Sequence, residues 1–131
     1  AVDDFLNFFV CQGLSPELLI LCHVEKRPDI SLHRELASAG VLLEYDTFVR
    51  TKYRPEENAW PLLQQMIEAG LIRQVALATD LAETKQRTYI GGSPGPVSFL
   101  TLIRDRLLNT DMTADVIGMI MVGNISRRMA I

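Results

Sequence analysis

The sequence predicts an α/β protein built from parallel strands with covering helices, and three observations carry the prediction. A unit of helix, glycine, short turn, apolar run and polar end recurs three times before residue 81. The apolar runs, L-L-I-L-C-H-V from Leu18 to Val24, V-L-L-E-Y-D from Val41 to Asp46 and V-A-L-A-T-D from Val75 to Asp80, have strand length. They are close to continuously apolar, the pattern of strands covered on both faces in a parallel sheet. The runs also finish in L-C-H, E-Y-D and A-T-D. Folding alone supplies no reason to end a buried run on a charge.

The elements follow in order. Val2, Phe5, Leu6, Phe9 and Val10 keep helical spacing until Gly13, a natural stop. Leu-Ser-Pro-Glu then turns into the first run. Ile30, Leu32, Leu36 and Ala37 share one face of a helix over Ile30 to Ala39, stopped by Gly40. His33 lies among polar neighbours in that helix and is expected on the surface. A polar connection holding Arg50, Lys52, Tyr53, Arg54 and Pro55 leads into a helix from Asn58 to Ala69, with Asn58 as N-cap, Pro61 in the first turn and Gly70 as stop. Beyond Asp80 a loop carries Tyr89 and the G-G-S-P-G-P run, before helices over Val97 to Leu108 and Thr113 to Val122 and a helical tail, I-S-R-R-M-A-I.

Repeated β/α units close in two ways, as an open doubly wound sheet or as a β/α barrel. Both put functional residues at the carboxyl ends of strands. No GxGxxG or GxxxxGK[ST] follows a strand, which disfavours a nucleotide-binding open sheet, so the barrel is preferred. Alternation places His23 with Leu21 and Leu19, Asp46 with Glu44 and Leu42, and Asp80 with Ala78 and Ala76. His23, Asp46 and Asp80 are thus expected to cap three parallel strands on one side.

Composition excludes several classes of function. At 131 residues and 48% hydrophobic, residues 1–131 read as a single domain or partial domain. A net charge of −3 with no basic block argues against nucleic acid or a polybasic membrane patch as partner. No apolar run is long enough to span a bilayer and no leader opens the chain, so it reads as soluble and cytoplasmic. Cys11 and Cys22 lack CxxC spacing and read as reduced, buried thiols. The start on Ala1, without methionine, suggests a fragment.

The order G-L-S-P-E-L-L-I-L-C-H, A-G-V-L-L-E-Y-D-T, A-G-L-I-R-Q-V-A-L-A-T-D, G-G, helix and V-G-N resembles the carboxyl-terminal portion of the phosphotriesterase family, which includes phosphotriesterase homology proteins and lactonases of the amidohydrolase superfamily. The resemblance implies the last three β/α units of a TIM-type barrel. It implies a metal-dependent hydrolase acting on lactone, carboxylic ester or phosphotriester bonds through a metal-bound hydroxide. His23 and Asp80 occupy the positions of the family's strand-six and strand-eight metal ligands, the aspartate doubling as proton acceptor. Zinc is the expected metal, with manganese or cobalt as alternatives, two per complete barrel. Cys22 stands where the family usually has glycine.

Imidazole and carboxylate suit these metals, and paired metals can activate a water against an ester or phosphorus centre. Asp46 resembles an aspartate that commonly follows the seventh strand and is expected to be structural rather than a ligand, with Glu44 facing the barrel interior. Arg50, Tyr53 and Tyr89, with Arg54, are the right residue types to bind a small-molecule ester or lactone carrying an anionic group. The family's His-x-His, its fourth-strand lysine or glutamate and its fifth-strand histidine have no counterpart here, so this chain alone is expected to be inactive. Three strands leave open edges and expose the inward faces of Leu19, Leu21 and Leu42. The missing amino-terminal barrel segment or another copy of the chain is the expected partner. The alternative is a degenerate barrel fragment serving as a noncatalytic binding or assembly module.

Overall fold

Three helix ends close in the same way, and each sends the chain into a strand. The computed structural model describes residues 2–81, 83–86, 88–93, 95–110 and 112–130; Ala1, Pro94 of the glycine-proline run and Ile131 of the tail lie outside them. Gly13, Gly40 and Gly70 have φ of 81°, 100° and 72°. The next residue's N–H reaches back to a helix carbonyl in every case, Leu14 to Phe9 at 3.0 Å, Val41 to Leu36 at 3.1 Å and Leu71 to Met66 at 3.0 Å. This is the left-handed closure that satisfies a helix's last carbonyls. At Gly40 glycine is also required by space, because a Cβ there would lie 2.9 Å from Cγ of Glu17.

The elements are α1 (Val2–Val10), β1 (Ile20–Cys22), α2 (Ile30–Ser38), β2 (Leu42–Tyr45), α3 (Ala59–Glu68), β3 (Val75–Leu77), α4 (Gly95–Leu108), α5 (Ala114–Gly118), a π turn (Met119–Gly123) and α6 (Asn124–Met129). The strands form one parallel sheet in the order β1-β2-β3. Its register pairs Cys22 with Glu44 and Glu44 with Ala76. Paired residues share a face, so Leu21, Leu43 and Val75 belong to one side and Cys22, Glu44 and Ala76 to the other. The first side joins the core: Leu43, Tyr45 and Val75 cluster with Leu36 of α2, Leu62 and Met66 of α3, Phe99 and Ile103 of α4, and Ile120. On the other side Cys22 is exposed and Glu44 half-buried.

Several expectations change. The strands are shorter than predicted: a 3-10 turn, Pro16–Leu18, takes the start of the first run, β1 stops where His23 turns left-handed at φ 62°, β2 stops at Tyr45, and β3 stops at Leu77, before Asp80 at φ 35°. Both cysteines are exposed rather than buried: Cys11 lies in the turn after α1, and Cys22 at the end of the edge strand β1. Leu42 is fully buried, while Leu19 and Leu21 are half-buried. Asn58 takes the N-cap position of α3, but its side chain makes no capping bond and donates to the Tyr53 carbonyl at 2.9 Å. The predicted Thr113 to Val122 helix is interrupted by the π turn, which packs on β3 and delivers Asn124. That buried amide donates to the carbonyls of Ile72 at 2.7 Å and Val75 at 2.6 Å, tying the chain's last helix to the start of β3. Among the described residues no helix is long and apolar enough to cross a membrane.

His33 is the clearest correction, for it is fully buried. Polar sequence neighbours hid a position that α2 turns inward. Its Nδ1 lies 2.7 Å from the Tyr45 hydroxyl and its Nε2 2.9 Å from the Arg27 carbonyl. A neutral ring satisfies both, accepting from the tyrosine and donating to the carbonyl. Burial lowers its pKa below the ordinary value near 6.5. The unfolded chain therefore binds a proton that the folded chain refuses, and the His33 contribution is lost as pH falls through about 6.5. Urea unfolding from pH 7 to 5 is expected to show wild type losing stability relative to His33→Gln; parallel curves would contradict a buried neutral ring.

Candidate metal centre at the strand ends

The register alone would not bring the strand-end residues together. His23 is one residue past the pair Cys22–Glu44, so in a continued strand it would stand beside Tyr45 on the helix-covered side. Its left-handed backbone, φ 62° and ψ 19°, turns the imidazole toward Asp46 instead. Asp80 leaves β3 in a similar way. Left-handed non-glycine residues each cost about 1–3 kcal/mol unless their surroundings hold them, and they concentrate at functional sites. Of the three found among the described residues, His23, Arg54 and Asp80, two belong to this cluster.

His23 Nδ1 donates to Asp46 Oδ2 at 2.5 Å. The bond fixes a tautomer in which Nε2 carries the ring's lone pair. Asp46 is buried, and its Oδ1 has no partner among the described residues. Burial is the main reason that its pKa is pushed up to about 6, with the hydrogen bond from His23 acting the other way. Asp80 Oδ2 meets Arg50 Nη1 at 2.5 Å and Lys26 Nζ at 3.9 Å. Arg50 also donates to the Asp80 carbonyl at 3.2 Å and to Glu83 at 3.3 Å. One donor atom from each of His23, Asp46 and Asp80 lies within 4.8 Å of the others.

The donor set fits a divalent cation of the zinc, manganese or cobalt kind: one imidazole and two carboxylates, one with an unused oxygen. It is an incomplete set for a catalytic metal pair, since about three protein ligands per metal is usual. Arg50 and Lys26 supply positive charge at the same carboxylate and would compete with a cation there.

Of the expected substrate residues, Arg50 and Tyr53 lie at this end of the sheet. The Lys26 and Lys52 ammonium groups each lie 4.8 Å from the Tyr53 ring centroid, and the Arg50 guanidinium 5.5 Å. A hydrogen bond from Lys52 is the chief cause of a lowered Tyr53 pKa. Arg50 is nearly buried against Asp80 rather than free in a loop. Tyr89 is 77% exposed in the later loop, and Arg54 points to Glu57 at 2.7 Å. Lys26 and Glu25 were missed from sequence. The polar Glu25-Lys26 pair directly after the first run was their only signal.

The fold and this cluster define the class: a parallel α/β chain with a cluster of metal-ligating side chains, His23, Asp46 and Asp80, at its strand ends. The chain belongs to the phosphotriesterase family, whose model matches residues 4–129. Among solved structures it is similar to a phosphotriesterase homology protein from Escherichia coli complexed with phosphate in its active site, at 18% identity and a TM-score of 0.84, covering 95% of this chain and 42% of that one. A lactonase from Listeria monocytogenes matches at 18% identity and a TM-score of 0.82, covering 95% of this chain and 39% of that one. The phosphotriesterase from Mycobacterium tuberculosis gives 18%, 0.76, 95% and 40%. No curated protein matches significantly by sequence. The chain therefore spans about two fifths of the length of these structures. Family members are hydrolases, and the family is metal-dependent.

The charge pattern yields a prediction for the chain itself. Zinc is expected to bind weakly and below two equivalents per chain, because the ligand shell is open and Arg50 occupies Asp80. Arg50→Gln removes the competing cation and should tighten zinc binding on the order of tenfold in calorimetric titration. Unchanged or weaker binding in that variant would show that Asp80 is not a ligand.

Proposed function

We propose that this chain is the carboxyl-terminal part, the last three β/α units, of a β/α-barrel metal-dependent hydrolase acting on lactone, carboxylic ester or phosphotriester bonds. The single observation that carries the reading is the convergence of His23, Asp46 and Asp80 from three strand ends to within 4.8 Å. Coverage of 95% of this chain against 42% of the Escherichia coli structure supports the view that the rest of the barrel comes from a preceding segment or another copy. Half-buried Leu19 and Leu21 beside the unpaired edge of β1, and Val97 and Val122 at 76% and 60% exposure, are apolar surface for such a neighbour to cover.

In this reading His23 and Asp80 hold the metals, zinc first among the candidates, and Asp46 orients the imidazole. A bound divalent cation would activate water and polarise the substrate's carbonyl or phosphoryl oxygen. Asp80 Oδ2, close enough to the cluster to receive a proton, serves as its acceptor. The cationic group of Lys26, Arg50 and Lys52 around Tyr53 supports a substrate with an anionic group. Tyr89 then contributes from the outer loop.

A second reading has its own observation. The 2.5 Å pair between Arg50 and Asp80 satisfies the carboxylate without metal, as a noncatalytic binding or assembly module would.

Substitution in the complete protein separates the two. Asp80→Asn keeps shape but removes charge and basicity, and turnover of a lactone or phosphotriester should fall by a factor on the order of a hundred or more. His23→Ala should lower metal content, with activity partly restored by excess zinc. Normal turnover in Asp80→Asn would favour the noncatalytic module.

A further inference from the structure

A buried charge that neither reading uses stands two residues after His23. Glu25 lies in a one-turn 3-10 helix, Val24–Lys26, and is 1% exposed. Its Oε1 accepts two backbone N–H groups, from Asp46 at 2.6 Å and from Thr47 at 2.7 Å. Its Oε2 is buried and has no partner among the described residues. A carboxylate in that state is expensive to bury compared with an apolar side chain of similar size. The fold does not need it to join the strands, since β1 and β2 are already paired through Ile20 to Cys22.

What pairing cannot do is hold the backbone beyond the ladder. β2 ends at Tyr45, and the next two amides, which have left the sheet, are the two that Glu25 takes. The same turn carries His23 in its left-handed conformation. Glu25 thus bridges the end of β1 to the end of β2 beside the His23–Asp46 bond, and two short charge-assisted bonds to one oxygen make a firm link.

We propose that Glu25 is a positioning residue: it clamps the Asp46–Thr47 backbone so that the Asp46 carboxylate meets His23 and sets the orientation of the imidazole. It is neither a ligand nor a proton carrier. The clamp stands on geometry alone, whereas its consequence for metal affinity rests on the hydrolase reading.

The chain holds two histidines, which makes the test internally controlled. His33, fixed in the core by Tyr45 and Arg27, reports the fold, and His23 reports the site. Imidazole nitrogen resonances are recorded for wild type, Glu25→Ala and Glu25→Gln, and zinc affinity is measured on the same samples. Glu25→Ala is expected to shift the His23 nitrogens well beyond the small change that loss of a nearby charge causes at His33, whose ring stays bonded to Tyr45 and Arg27, and to weaken zinc binding about tenfold or more, as loss of outer contacts does at metal sites. Glu25→Gln keeps an acceptor for both amides and should restore the wild-type His23 signals. Unmoved His23 signals in Glu25→Ala overturn the proposal. Should Glu25→Ala also disperse the His33 signals, Glu25→Gln decides: wild-type His23 signals in a folded chain support the clamp, and shifted ones overturn it. Absence of zinc binding in wild type would count against the hydrolase reading and leave the resonance result to judge the clamp.

Discussion

Parallel pairing of Cys22 with Glu44, and of Glu44 with Ala76, is the constraint on which the molecule depends. It sets the levels at which the strands end, and so decides which side chains can meet. Three equivalent glycine closures feed the strands into that register, at Gly13, Gly40 and Gly70. The helices that those closures terminate bury the Leu43, Tyr45 and Val75 face, which fixes the sheet's orientation. One consequence is awkward for chemistry. Strict alternation would turn His23 to the helix side, away from Asp46, and a strained backbone resolves the conflict.

The electrostatics follow from the same geometry. Gathering Glu25, Asp46 and Asp80 at one end of a small sheet concentrates negative charge where water is scarce. Asp46 responds with a pKa pushed up to about 6, chiefly by burial. Asp80 is neutralised by Arg50 and approached by Lys26. Among the described residues Glu25 is met by two backbone amides, both on Oε1. A cluster so arranged is suited to a cation, and the chain's own arginine shows how a carboxylate of this kind behaves when one is near.

Much of this was legible in the sequence because the relevant signals are local. Apolar runs of strand length, glycines after helices and polar strand ends specified the three units, and the family order singled out His23 and Asp80, two of the three residues that meet at the strand ends. What was not legible depends on contacts between distant segments. His33 looks like a surface residue among polar neighbours, yet it sits in the core because Tyr45, twelve residues later, offers its hydroxyl. Cys22 reads as buried in an apolar run, but it is exposed at the end of the edge strand, while Leu42 and Ala76 on the same face are buried. Arg50 reads as a free loop cation, and only the fold reveals Asp80, thirty residues on, as its partner. The role of Glu25 requires knowing where β2 stops, a boundary that side-chain pattern placed at Asp46 and the backbone places at Tyr45.

The central claim is that His23 and Asp80 are brought together to hold a metal. Diffraction at the zinc absorption edge, from crystals of the complete protein grown with zinc, tests it most directly. The account predicts an anomalous peak within roughly 2.0–2.2 Å of an imidazole nitrogen of His23 or a carboxylate oxygen of Asp80, with the Arg50 guanidinium displaced from Asp80. A fully folded protein with no peak at the strand ends, and with Arg50 still paired to Asp80, would contradict it.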